Sequence, residues 1–345
     1  MKTIAALFAG ASLLLSAAPV SAGGPLDDAL DLLSRDPAAG LAALEALVLT
    51  GEPEAMSVVA GIIYNPPSES PVAPDPARAI TLWERALEGG SVSAPLNYGT
   101  NLILNDDPSD DARAVEMLRG VRADLVPLAA YPLGRAYLFG NGVGQDLERG
   151  SRLLETAVEA TPDNTDAQFL LGRAYQNGWG IPVDDAAAYR HMKAAADGGD
   201  PRAQWNVGMM MLNGDGTAAN QALAYAYVRA SAEGEEVSGM ISLAVMLALG
   251  QGVEPDPAQS RQWYRRAAET GSAHALRGLA GMLLTGEGGR VDAASGAAYL
   301  DLAAKAGDAN ARQMQQIFAE QIAAQDQGAV DAIKAAWLRA HGIPR

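Results

Sequence analysis

The side chains that most often do chemistry are scarce in this 345-residue chain. Three histidines, His191, His274 and His341, stand far apart. The lysines are Lys2, Lys193, Lys305 and Lys334, and none has a serine three positions before it, so a Ser-x-x-Lys nucleophile is missing. There is no cysteine, which excludes disulfides, iron–sulfur clusters, Cys-ligated zinc and thiol catalysis. No P-loop, His-Glu-x-x-His, EF-hand loop or Gly-x-Ser-x-Gly elbow occurs. No catalytic residue, cofactor or metal is expected.

Two segments imitate chemistry. Gly140-Asn141-Gly142-Val143-Gly144 resembles a phosphate-binding glycine loop, but it follows a helical pattern and the same turn recurs in four other places. It reads as a helix–helix turn. Asp106, Asp107, Asp110 and Asp111 could meet a hard cation or a basic partner, yet a solvated loop at a helix start explains them more simply. The formal net charge of −16 excludes nucleic acid as the main partner, because phosphates require a basic surface. It argues equally against an anionic membrane.

A third candidate is visible only once the elements are in register. Leu133-Gly134-Arg135-Ala136-Tyr137 recurs as Leu171-Gly172-Arg173-Ala174-Tyr175. The same frame runs through positions 61, 99, 134, 172, 208, 244 and 280, with a spacing of 36 between the last four anchors. A Gly-x-Gly follows the later anchors, as in Gly178-Trp179-Gly180 and Gly214-Asp215-Gly216. An Ala/Gly-rich ending such as Ala195-Ala196-Asp197-Gly198 closes the repeats. Each repeat therefore reads as two helices. Helix A carries small or apolar residues at −5, −1, 0 and +3, within about 140° of one face. Glycine or alanine at position zero lets helices approach, and helix B rings (Trp83, Tyr189, Tyr225, Trp263, Tyr299) are expected to fill the gaps. Alanine fills about one position in five, which suits such packing.

The pattern Ala-x-x-x-Leu-Gly-x-x-Tyr-x-x-Gly-x-Gly in Ala129–Gly142 and Ala167–Gly180, with Arg261–Gly271 as an aromatic helix B, resembles the Sel-one-like repeat of the tetratricopeptide superfamily. The resemblance implies an all-α fold, a right-handed α/α solenoid of about seven helix-turn-helix repeats with terminal capping helices. Residues 54–308 form the repeats, 23–53 the N-terminal capping helices and 309–345 the C-terminal ones, with Phe318 and Trp337 expected as buried anchors. The first repeat departs from the pattern by a proline insertion over 65–74. The second departs by lacking Gly-x-Gly.

Positions −3 and +1 of helix A lie about 40° apart on the face opposite the packing stripe. In repeats three to five they are Tyr131/Arg135, Phe169/Arg173 and Trp205/Met209. Aromatic and Arg side chains are common interface anchors, so these six are the candidate partner-binding residues. The competing reading is that they pack against the neighbouring repeat. The resemblance implies a concave groove that holds a protein or peptide. It also implies a non-catalytic adaptor, with an envelope complex or a sensor protein as partner. A scaffold for exopolysaccharide or cell-wall assembly is the alternative. A β-lactam-binding or hydrolysing enzyme fits less well, because the exported relatives linked to that activity are cysteine-rich.

Residues 1–22 have the grammar of a secretory signal: Lys2, an uncharged run from Ile4 to Ala18, then Val20-Ser21-Ala22. Cleavage after Ala22 is expected, leaving no stable membrane insertion, and the periplasm is the expected compartment. The run is shorter than the ~20 residues usual for a span.

Overall fold

The computed structural model describes residues 24–66, 72–105 and 107–342. The expected signal segment, the heart of the proline insertion at 67–71, and Asp106 lie outside the described residues. The fold is all-α, of the α/α solenoid class, and no strand occurs among the described residues. The chain divides into two compact bodies, residues 1–183 and 184–345.

The N-terminal body holds α1 (Pro25–Arg35), α2 (Pro37–Thr50), α3 (Pro53–Tyr64), α4 (Pro76–Glu88), α5 (Ala94–Leu104), α6 (Asp111–Arg119), α7 (Val126–Phe139), α8 (Leu147–Ala160) and α9 (Thr165–Asn177). The C-terminal body holds α10 (Asp185–Asp197), α11 (Pro201–Asn213), α12 (Gln221–Glu233), α13 (Val237–Leu249), α14 (Pro257–Ala268), α15 (Ala273–Thr285) and α16 (Ala293–Lys305). It ends with α17 (Ala309–Ile317), the short α18 (Ala319–Ala323) and α19 (Gln327–Ala340). The second repeat, irregular in sequence, still forms the helix pair α5/α6.

Caps set where these helices begin. Asp36, Asp75, Asp146, Asp184, Asn220, Asp256 and Asp292 each accept a hydrogen bond from the backbone amide three residues on. Proline at the first helical position of α2, α4, α11 and α14 adds a preset φ. Helix A ends when Gly140 turns left-handed at φ 76°, and glycine closes α9, α11, α13 and α15 in the same way.

Position zero is a contact point, as its spacing implies. A Cβ at Gly99 would sit 2.9 Å from Leu118 Cγ, and one at Gly134 would sit 3.1 Å from the Gly150 carbonyl oxygen. The second glycine of Gly-x-Gly has a duty beyond the turn. A Cβ at Gly216 would overlap the backbone of Asp185, the first residue of α10. The same overlap recurs at Gly142 against Asp111, Gly180 against Glu148, Gly252 against Gln221 and Gly288 against Pro257. This glycine is therefore the joint between one repeat's turn and the start of the preceding helix B.

Burial corrects two expectations. Trp83 is fully buried, stacked on Tyr98 at 4.9 Å, with its Nε1 donating to the Ser57 carbonyl at 3.2 Å. The other helix B rings, Tyr189, Tyr225, Trp263 and Tyr299, are only half-buried. Alanines hold the inward positions instead, for example Ala187 and Ala188 in α10 and Ala267 and Ala268 in α14. At the C-terminal end Phe318 and Trp337 are half-buried as well. Val330 is the buried anchor there, against Ala297 and Ala298. Trp337 stacks on His341 at 3.8 Å.

Candidate functional site

Each candidate residue has a distinct setting on its helix A. In the N-terminal body Tyr131 is half-buried and packs against the clusters containing Leu138, Leu154 and Ala157. Arg135 is half-buried, and its Nη1 donates to the Ile103 carbonyl at 3.2 Å, in the last turn of α5. That carbonyl is one of the acceptors a helix leaves unpaired at its end. Arg135 therefore serves the fold as a C-terminal cap, and the guanidinium is not wholly available to a partner.

Phe169 is buried at 8% exposure, so its ring offers almost no surface. The sequence stripe placed it among the exposed anchors. Arg173 is half-buried, its Cζ lies 5.6 Å from the Trp179 ring centroid, and its Nε has no hydrogen-bond partner. Its guanidinium is held over an indole in the following turn.

In the C-terminal body Trp205 and Met209 are half-buried on α11. The Trp205 Nε1 donates to Ser242 Oγ on α13 at 2.9 Å, tying consecutive A helices. Ile241 and Val245 continue the face on α13, and Arg277 and Gly281 continue it on α15; all four are half-buried. Arg277 Nε donates to Asp308 Oδ2 at 3.0 Å. Asp308 also accepts the Ala311 amide at 2.9 Å. Burial works against the Asp308 charge, but the Ala311 amide and Arg277 outweigh it and hold the carboxyl below the usual range.

Sequence reasoning missed some members of this face. Leu249, at position +5 of its helix A, is 65% exposed where the neighbouring repeats carry Asn213 and Thr285. Its signal was a leucine in a polar column. Ser242 lay one residue off the stripe and Asp308 at the very end of the last repeat, so spacing alone did not mark them.

The decoy segments resolve structurally. Gly140–Gly144 is the turn between α7 and α8. In the acidic cluster Asp107 accepts the Ser109 amide at 2.9 Å, which draws its pKa down. Asp111 is buried beside the Gly142 joint rather than solvated, and burial pushes its carboxyl up. Among the described residues no group of three or more His, Asp or Glu has the geometry to hold a metal ion. No helix there is long and apolar enough to cross a membrane.

The helix pairs, the glycine joints and the repeat length define an α/α repeat protein of the solenoid class. Residues 53–91, 127–161, 165–200, 201–235, 237–272 and 273–308 match the Sel1 repeat family, and the chain belongs to it. The gap between the first two matches is the α5/α6 repeat that lacks Gly-x-Gly. Among solved structures, the chain is similar to a protective antigen present in uropathogenic Escherichia coli strains and displaying an SLR fold. The identity is 24%, the TM-score 0.68, and the match covers 88% of this chain and 64% of that one. The chain thus spans a little under two thirds of that protein. A Sel1 repeat protein from Oxalobacter formigenes is also similar, at 25% identity and a TM-score of 0.56, covering 67% of this chain and 93% of that one. Sel1 repeats generally mediate protein–protein interaction.

Proposed function

We propose that this chain is a non-catalytic adaptor of the bacterial envelope that holds a protein or peptide segment against the exposed face of its A helices. The observation that carries the reading is the half-exposed row Trp205, Met209, Ile241 and Val245, presented by helices whose opposite faces are packed, with Ala203, Val207 and Met211 on α11 and Leu243, Ala244 and Leu247 on α13. Aromatic side chains supply large contact area at little entropic cost, and the flexible thioether adapts to the shape it meets. Signal-like residues 1–22 support export, with cleavage after Ala22 and residence in the periplasm. An envelope complex or a sensor protein is the partner class this compartment offers.

The test compares the purified wild type with Trp205→Ala/Met209→Ala in capture from an envelope fraction, with helical circular dichroism as the control. The reading expects one discrete partner, lost in the double variant while helicity is kept. Equal capture by both chains contradicts it. Fractionation and N-terminal sequencing of the mature chain test the compartment, with Gly23 expected first.

A further inference from the structure

Charge is distributed unevenly over the C-terminal body. The A helices α11, α13 and α15 are 13 residues each, and none of those residues is Asp or Glu. The whole chain carries 41 acidic against 25 basic residues. The ionisable side chains of these three helices are Arg202, His274 and Arg277, gathered toward their N-terminal halves. Farther along the same face come Trp205, Met209, Ile241, Val245 and the exposed Leu249.

The carboxylates at the starts of α11, α13 and α17 are committed to capping. Asp200 accepts the Ala203 amide at 3.2 Å, Glu236 the Ser238 amide at 3.3 Å and Asp308 the Ala311 amide at 2.9 Å. Two of them lie beneath the cations they pair with. The Asp200 side chain is 4% exposed under Arg202 at 48%, and Asp308 is 2% exposed under Arg277 at 27%. His274 is 69% exposed. An approaching molecule therefore meets N–H donors and apolar surface along these three helices, while the exposed carboxylates Asp215 and Glu287 stand in the turns after α11 and α15 and Glu235 stands just before α13. The half-exposed apolar residues need apolar contact, and guanidinium donors are best matched by carboxylates.

Building on the adaptor reading, we infer that this face of α11, α13 and α15 takes an acidic, apolar peptide segment of a partner protein. The segment's aliphatic or aromatic side chains lie against Trp205, Met209 and Val245, and its carboxylates reach Arg277, His274 and Arg202. The inference runs against the overall field, because a chain of net charge −16 attracts basic molecules non-specifically. That opposition makes it sharply testable.

The experiment is selection of a random-peptide phage library on the immobilised chain at physiological salt. The expected result is enrichment of net-negative sequences with aliphatic or aromatic residues. Their retention should fall about tenfold on Trp205→Ala/Met209→Ala. Replacing the acids of an enriched peptide by their amides should weaken it on the wild type, and much less on Arg277→Gln/His274→Gln. Arg202→Gln gives a parallel reading where loss of the Arg277–Asp308 pair loosens the fold. Enriched peptides that are basic or uncharged but still need Trp205 overturn this inference and leave the adaptor surface standing. Peptides retained equally by the double variant, or no enrichment at all, overturn both.

Discussion

The indole of Trp205 is fastened to the next repeat by its 2.9 Å hydrogen bond to Ser242 Oγ, yet the residue stays half-exposed. One edge of the ring thus belongs to the fold and one face to the surface. Ser242→Ala should cost about 1 kcal/mol, the net worth of one hydrogen bond, read as a small fall in Tm. Trp205→Phe should match it in stability, and a double-mutant cycle should find the two losses strongly non-additive.

Phe169 behaves differently. Its burial predicts that Phe169→Ala costs about 3 kcal/mol in denaturant unfolding. Loss of binding in a Phe169→Ala/Arg173→Ala chain would therefore report damage to the scaffold. Trp205→Ala/Met209→Ala should lose far less stability, because both residues are half-exposed. Equal destabilisation of the two double variants would place Trp205 and Met209 in the core.

The glycine joints separate two physical effects. Gly216→Ala brings a Cβ onto the Asp185 backbone at a φ of 65°, and should cost about 3 kcal/mol or more. Gly271→Ala has φ 87° but nothing within 4 Å, and should cost only about 1 kcal/mol. Glu235 is the converse case. It is the sole non-glycine residue at positive φ among those described, at 66°, where other repeats place Gly90, Gly199, Gly271 and Gly307. Glu235→Gly should raise stability by about 0.5 kcal/mol, since the ion pair it loses with Arg266 is exposed. Thermal melts of the three variants check this order.

Acid should loosen the C-terminal end. The Asp308 carboxyl is held below its unfolded value, so it contributes stability at neutral pH. That contribution is complete above about pH 4 and is lost as pH falls through the lower, folded value. Asp301, where the hydrogen bonds from Lys334 and Lys305 overcome the opposing effect of burial, follows the same sign. Asp308→Asn should lower Tm at pH 7 and flatten its decline below pH 4. Hydrogen exchange in α17 is the local readout.

Much of this was readable in the residues. The 36-residue spacing and the Gly-x-Gly turns report local geometry, because a turn constrains residue type directly. Burial of side chains on the outer stripe was not readable. Phe169 and Trp205 occupy the same column, and only the tertiary surroundings make one core and the other surface. The second glycine of each turn was visible as a letter. Its role as a joint needed the approach of Asp111 or Asp185, remote in sequence. The half-buried helix B rings follow from the same limit, because a pattern shows which face is apolar and not how deep each side chain sits.

A photo-crosslinking residue at Met209 tests the adaptor surface most directly, with one at Leu223, exposed on α12, as the reference. In living cells the Met209 site should yield a discrete adduct with a second protein, absent or much weaker at Leu223. An adduct at Leu223 alone, or none at Met209 with the chain folded and abundant, would contradict a partner-binding face on the A helices.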